Sequence, residues 1–310
     1  MRPAAFLVAV LRCVGSGRGV ALLTACLAGP AVAEDVAFAA VRPGTTLSLP
    51  RDHGSHPAFR TEWWYVTGWL APAQPTRDAG GMPSRPIEML APTHGFQVTF
   101  FRSRLSDAAG ASAPSGRFAP RQLLFAHAAI TDLAGSRHLH AQHMARWNGD
   151  PAIGPDRAAL DDADIHLARW HLTRTGQGRE TWNAAVRTPM LALEGTLQPT
   201  QALLLQGDGG FSRKGPEEGQ ASHYVSVPQL QAQLSLELDG RRLATAGRAW
   251  LDHEWSDELL HPQAVGWDWI GINLFDGGAL TAFRLRRADG RTLWAGGSHR
   301  APPGPAGTVP

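Results

Sequence analysis

The 310-residue chain holds only two cysteines, one lysine and two tyrosines. Each scarcity excludes something. Both cysteines, Cys13 and Cys26, fall within Met1–Ala33, a segment built like a cleavable export signal. Cleavage after Ala33 would leave no thiol, and so neither a disulfide framework nor thiol chemistry. Stability must then come from burial, for which the roughly 280 remaining residues suffice as one large domain or two smaller ones. Lys214 is the single lysine among 29 basic residues, a bias typical of a GC-rich genome. With the signal removed, 26 basic residues face 27 acidic ones, a net charge of −1 in place of +2. That balance excludes nucleic acid as an expected partner. Also missing are convincing helical periodicity, a Gly-x-Ser-x-Gly nucleophile elbow, a His-Glu-x-x-His pair and a Gly-Lys-Ser/Thr phosphate loop.

The N-terminus carries Arg2, Arg12 and Arg18, the apolar run Val20–Ala28 and the small-x-small site Ala31-Val32-Ala33. The run is too short to span a bilayer, and no later segment is longer. A periplasmic or secreted protein starting at Glu34 is therefore expected. The alternative is a lipoprotein, with Leu23-Thr24-Ala25-Cys26 as its cleavage box and Cys26 lipidated.

The rest is rich in tryptophan, 11 in all, and in glycine and proline. Short alternating runs dominate: Thr61–Leu70, Gly95–Arg102, Leu123–Asp132, Ile165–Thr173, Glu180–Arg187 and Leu191–Gln198. Such runs, separated by turns at Gly149-Asp150-Pro151, Gly176-Gln177-Gly178 and Gly207–Gly210, predict an antiparallel all-β barrel or sandwich. Both faces of Thr61–Leu70 are apolar or aromatic, which predicts burial on both sides. Asp156–Asp162 is long enough for one helical turn. Ala71–Pro92 and Asp107–Pro120 read as long mobile loops. A boundary near Gly219–Pro228 divides 34–222 from 223–310. Beyond it come Leu230–Leu238, the hairpin signal Asp239-Gly240, Arg241–Leu251, Trp267–Leu274, Leu280–Arg287 and Thr292–Gly297. These five runs, six strands at most, are fewer than a closed eight-stranded barrel needs, so the second domain reads as incomplete.

Two segments concentrate unlike chemistry. One is Arg51-Asp52-His53-Gly54-Ser55-His56, leading through Arg60 and Glu62 into Trp63-Trp64-Tyr65. The other is Trp250-Leu251-Asp252-His253-Glu254-Trp255, followed by Trp267-Asp268-Trp269. In an extended chain Trp250, Asp252 and Glu254 share one face, and Leu251, His253 and Trp255 the other. Carboxyl groups desolvated by indoles gain pKa and become proton donors. Asp252, His253, Glu254 and Asp268 are thus either catalytic or buried hydrogen-bonded structure. Arg60 and Glu62 read as an ion pair anchoring the strand. His138, His140 and His143, like His53 and His56, form no recognised ligand set, so no metal is expected. Gly207–Gly215 reads as a hairpin turn.

Five segments carry a family resemblance: RDHGSHPAFRTEWWYVTGWL (Arg51–Leu70), GFQVTFFRSR (Gly95–Arg104), FAHAAITD (Phe125–Asp132), LLLQGDGGFSRKG (Leu203–Gly215) and AWLDHEWSDELL with GWDWIGINL (Ala249–Leu274). In this order they resemble the carotenoid 1,2-hydratase family and its exported AttH-like relatives, often labelled predicted secreted hydrolases. The resemblance implies two consecutive lipocalin-like β-barrels, the second incomplete here. It also implies water addition to a terminal C=C bond without metal or organic cofactor. On that reading Asp268 is the first-choice acid, with His253 and Asp252 orienting water and Glu254 beside them. Trp255, Trp267 and Trp269 would stabilise a cation or line the pocket, with Trp63, Tyr65 and His127 as further ligand contacts.

Three functions follow: a hydratase, isomerase or cyclase acting on an isoprenoid or polyene, a carrier of a hydrophobic ligand without chemistry, or a hydrolase. Asp268 and His253 facing one apolar cavity would favour the first. The same residues locked in ion pairs away from it would favour the second. A Ser–His pair within the cavity would favour the third. Export argues against carotenoid hydration itself, whose pigments are made at the cytoplasmic membrane, and for another apolar molecule of the cell envelope. Association with the envelope surface and the oligomeric state are left open.

Overall fold

The computed structural model describes residues 38–74, 86–105, 122–147, 154–176, 179–258 and 260–302. The expected signal segment with Cys13 and Cys26, most of the two expected long loops, the expected Gly149–Pro151 turn and most of the Ala301–Pro310 tail lie outside these residues. Strands account for nearly all regular structure. They are β1 (Thr61–Pro72), β2 (His94–Arg104), β3 (Gln122–Asp132), β4 (Arg137–Trp147), β5 (Arg157–Ala158), β6 (Asp164–Leu167), β7 (Trp170–Thr175) and β8 (Thr181–Arg187). There follow β9 (Leu191–Pro199), β10 (Leu204–Leu205), β11 (Phe211–Arg213), β12 (Ala221–Leu238), β13 (Arg241–Ser256), β14 (Gly266–Asn273), β15 (Ala279–Arg286) and β16 (Thr292–Arg300). Two single 3-10 turns, Arg51–His53 and Ile87–Met89, are the only helical elements among the described residues.

The all-β class holds. The first thirteen strands form one antiparallel sheet, ordered β4-β3-β2-β1-β13-β12-β9-β8-β7-β6-β5, with β10 and β11 on β12. This sheet curls into a nearly closed barrel. His143 on β4 and Trp170 on β7 approach to 6.4 Å between ring centroids. Period-two alternation sends Trp64, Val66, Val98, Phe100, Leu124, Ile130, Leu172, Trp182, Leu234 and Leu251 inward as one core. The remaining strands form a separate sheet, β14-β15-β16.

Several sequence expectations change. The boundary at 222/223 falls inside β12, and β12 and β13 pair with β9 and β1 in the middle of the large sheet. The small sheet alone stands apart from that barrel. Ile165–Thr173 is two strands, because Ala168 adopts a left-handed φ of 54° at a tight hairpin. Asp156–Asp162 forms no helix; it contributes β5 and a bend. The Asp239-Gly240 hairpin is present, with φ of 51° and 74°. Strand β1 is buried on its Trp64/Val66 face only, while Trp63 and Tyr65 are half-buried on the other.

A bulge in β12 ties the two sheets together. Register shifts between Val227 and Leu230, and Gln229 there has a left-handed φ of 55°. The Gln229 amide N–H donates to Asn273 Oδ1 at 2.8 Å, and its side chain donates to the carbonyls of Leu274 and Gly278, both at 2.9 Å. Asn273 returns a bond to the Ala249 carbonyl. These bonds, together with aromatic contacts such as Trp250–Trp269, fix the small sheet over the outer face of β12 and β13.

Pairing of β1 with β13 requires glycine at Gly247, where a Cβ would strike the Trp69 backbone carbonyl. Gly247→Ala is expected to cost about 2 kcal/mol through strand separation, read as a lowered urea midpoint. Gly219→Ala, at an open position, is expected to be neutral within about 0.5 kcal/mol.

Candidate functional site

The two faces of the β1–β13 ribbon carry opposite polar solutions. On the inner face Glu62 is fully buried. Its Oε2 accepts from Arg102 Nε at 2.7 Å, and its Oε1 lies 2.7 Å from His56 Nδ1 and 2.9 Å from His253 Nε2. Arg102 also donates to Gln122 Oε1 and to the carbonyls of His56 and Phe59. His56 reaches Asp52 through its other nitrogen, at 3.1 Å. Tryptophans cap the network: Trp255 stacks on His56 at 3.8 Å, and Trp64 on His253 at 4.7 Å. Burial alone would raise the Glu62 pKa, but Arg102 and His56 outweigh it and hold the carboxyl well below its usual range. Burial opposes charge on His56, yet Glu62 and Asp52 raise its pKa above the ordinary value. His253 goes the other way, because burial dominates. His56, Glu62 and His253 also bring their ligand atoms within 4.8 Å of one another. Their direct mutual hydrogen bonds occupy the space between them, and Arg102 supplies the compensating charge.

On the outer face, the small sheet roofs a cavity of about 400 Å³. Its floor is Trp63 and Tyr65 of β1, Phe101 of β2, Tyr224 of β12, and Asp252 and Glu254 of β13; its roof is Trp267 and Trp269 of β14 with Phe283 and Leu285 of β15. The aromatic rings interlock. Trp267 lies over Trp63 with centroids 6.3 Å apart, and Trp269 meets Tyr65 edge-on at 5.5 Å.

Asp252 is the buried acid of this cavity, only 3% exposed. Oδ1 accepts from Ser226 Oγ at 2.6 Å and Trp250 Nε1 at 2.7 Å; Oδ2 accepts from Tyr224 OH at 2.8 Å. The Tyr224 oxygen in turn accepts from Trp269 Nε1 at 2.9 Å. Among the described residues, no cation forms an ion pair with the carboxyl. Burial outweighs the three donors and pushes its pKa from 3.8 up to about 7. Burial, with Asp252 beside it, also raises Tyr224 well above its ordinary value, so the phenol acts as a donor. With both Oδ1 lone-pair sites filled and one on Oδ2 used, Oδ2 keeps one site able to carry a proton. Glu254 differs: its Oε1 lies 2.9 Å from Lys214 Nζ and accepts from Ser222 Oγ.

The sequence-derived site is thus partly reassembled. Asp252, Glu254, Trp63, Tyr65, Trp267 and Trp269 all line the cavity. Asp268 does not. Alternation that turns Trp267 and Trp269 inward turns Asp268 outward, where it is half exposed and bound to Arg284 at 2.7 Å and Arg286 at 3.0 Å. The Arg284 hydrogen bond lowers its pKa, the opposite of what an acid catalyst needs. His253 and Trp255 belong to the inner network, since they alternate with Asp252 and Glu254. His127 is exposed on β3, beside Phe101 and Phe125. Arg60 is exposed over the Phe38 ring, and the partner of Glu62 is Arg102 instead. Tyr224, Ser226 and Lys214 were not singled out as site residues. For Tyr224 and Lys214 the available signal is rarity, since both tyrosines and the only lysine of the chain line the cavity; Ser226 carries no such signal.

Glu62→Gln strips the charge partner from fully buried Arg102. An uncompensated buried charge costs about 3–5 kcal/mol. Urea unfolding at neutral pH is expected to show a loss of that order, partly recovered in Glu62→Gln/Arg102→Met. A loss confined to a few tenths would mean that the network does not hold β1 in place.

Known proteins share this architecture. A structure of a candidate AttH from Nitrosomonas europaea is 39% identical, superposes with a TM-score of 0.70, and is matched over 85% of this chain and 72% of its own. Kievitone hydratase from Nectria haematococca superposes with a TM-score of 0.54 over 86% of this chain and 68% of its own, at 10% identity, a likeness of fold alone. No curated protein matches the sequence. The sequence profile described as AttH-like matches residues 40–309. The chain belongs to the AttH-like family.

Proposed function

We propose that the protein binds an apolar, unsaturated molecule of isoprenoid or polyene type between its two sheets and adds water across one C=C bond, acting outside the cytoplasm after export. One observation carries the reading: Asp252 is a carboxyl held near neutral pKa inside an aromatic cavity. Protonating an alkene needs an acid that keeps its proton near pH 7 and a site that tolerates a cation. Asp252 Oδ2 would give its proton to one alkene carbon. The positive charge on the other carbon would sit among the faces of Trp63, Tyr65, Trp267 and Trp269, each worth about 2 kcal/mol when desolvated. Water adds to that carbon, and the carboxylate takes back a proton from the oxonium, restoring the acid. Tyr224, Ser226 and Trp250 hold the carboxylate oriented while it is charged. The cycle uses only water and the chain's own proton. A fold shared with a hydratase fits this chemistry.

A carrier without chemistry is the second reading. The positions of Asp268 and His253 favour it, since both are tied up in ion pairs or buried bonds off the cavity. Asp252 therefore bears the whole catalytic claim. Incubation with linear terpenes bearing trisubstituted double bonds, in oxygen-18 water, is expected to give products heavier by one labelled water. Asp252→Asn should lower that rate by about 10²–10⁴-fold while the same terpenes still quench tryptophan fluorescence. Quenching without product in the unaltered protein would favour the carrier, and an active Asp252→Asn would overturn the acid assignment.

Stability reports the same proton. Below the unfolded-state pKa of 3.8 both states are protonated; between there and about 7 only the folded state holds the proton. Stability should therefore fall as pH rises from about 4 to 7, by on the order of 4 kcal/mol. Asp252→Asn should remove that component of the slope, as read from urea titrations across the range.

A further inference from the structure

The chain replaces lysine with arginine everywhere except at Lys214, and this residue stands in the cavity wall. Its ammonium is caged by two rings, 4.4 Å from the Tyr224 centroid and 4.2 Å from that of Phe283. It lies 2.9 Å from Glu254 Oε1 and 3.2 Å from Ser212 Oγ. A compact ammonium fits between the rings and keeps three separately directed N–H groups, which a planar guanidinium cannot do. Two of those donors meet Glu254 and Ser212, so one is left. Glu254 is complementary. Ser222 and Lys214 both act on Oε1, and among the described residues Oε2 accepts no hydrogen bond although the side chain is only 8% exposed. A donor and an acceptor with capacity to spare therefore stand side by side in a wall of mixed aromatic and polar groups, where water meets that capacity until a ligand displaces it, the Lys214 side chain being 24% exposed.

Charge narrows what they can receive. Glu254 already neutralises Lys214, and Glu258 adds a further carboxylate to the lining. An anionic head would be repelled, and a pure hydrocarbon would leave both groups unsatisfied, at about 1–3 kcal/mol each. A neutral hydroxyl satisfies both at once, accepting from Lys214 Nζ and donating to Glu254 Oε2. We infer that Lys214 and Glu254 form a subsite for a hydroxyl on the ligand, so that the molecule bound is an alcohol or phenol with an apolar, unsaturated body. The inference rests on the cavity being the ligand site. It adds a dimension: Asp252 and Glu254 are two residues apart on one strand face, so the hydroxyl and the reacting double bond lie about 7 Å from each other.

The test uses three polyenes with one carbon skeleton: all-trans-retinol, its methyl ether and retinoic acid. Binding is read by energy transfer from tryptophan in the purified, signal-free protein. Retinol is expected to bind at least about tenfold more tightly than the ether, which cannot donate, and more tightly than the carboxylate. Lys214→Met and Glu254→Gln should each bring retinol down to the level of the ether. Ether affinity should stay within about twofold, which also reports that the variants are folded. Asp252→Asn should keep the preference for retinol. Equal binding of retinol and ether to the unaltered protein would overturn the hydroxyl subsite while leaving the cavity as the ligand site. Equal loss of both in Lys214→Met would overturn it too. Failure of all three to bind would overturn the subsite and the cavity reading together.

Discussion

Three carboxylates are buried on one two-stranded ribbon, and the difference in how two of them, Glu62 and Asp252, are compensated organises the molecule. Glu62 on the inner face meets Arg102 and two histidines, and so stays charged at a depth where an isolated charge would be prohibitive. Among the described residues, Asp252 on the outer face meets only neutral donors, and burial there pushes its pKa up to about 7. Strand alternation makes the two compatible. A residue on β1 or β13 must choose a face, and a shift of one position would exchange the network and the cavity. The β1–β13 register, Trp64 opposite His253 and Tyr65 opposite Asp252, is therefore the constraint on which both depend.

The small sheet completes this arrangement. Without it, Tyr65, Trp63 and Asp252 would face water, and the desolvation that raises the acid would vanish. The Gln229 bulge, the Asn273–Ala249 bond and the Trp269–Tyr224 bond each join the roof to the floor. Trp269 serves twice, since its N–H orders the phenol that orders Asp252. Folding, roofing and proton affinity are in this sense one property of the sequence.

Much of this was legible beforehand. Alternation in β1, β2 and β13 correctly divided Trp250, Asp252 and Glu254 from His253 and Trp255. The turn at Asp239-Gly240 declared itself through residues that accept the positive φ a two-residue hairpin requires. The misplacement of Asp268 had a physical source. Its flanking tryptophans made it look desolvated, but the neighbours of a strand residue lie on the opposite face, and Arg284 and Arg286 on β15 face Asp268 instead. The true partner of Glu62 was illegible for a related reason. Arg102 lies 40 residues away and meets Glu62 only through the β1–β2 register. Strand β4 was missed because its edge position exposes most of its side chains and blurs the apolar period.

The central claim is that a carboxyl in the aromatic cavity holds its proton near neutrality. Carbon-13 NMR of the aspartate carboxyls, with Asp252→Asn identifying the resonance, measures it directly. A midpoint near pH 7 for Asp252 in the folded protein is the result this structure predicts. A midpoint at or below pH 4 would show that Ser226, Trp250 and Tyr224 stabilise the charge more than burial penalises it, and would remove the acid on which the proposed chemistry rests.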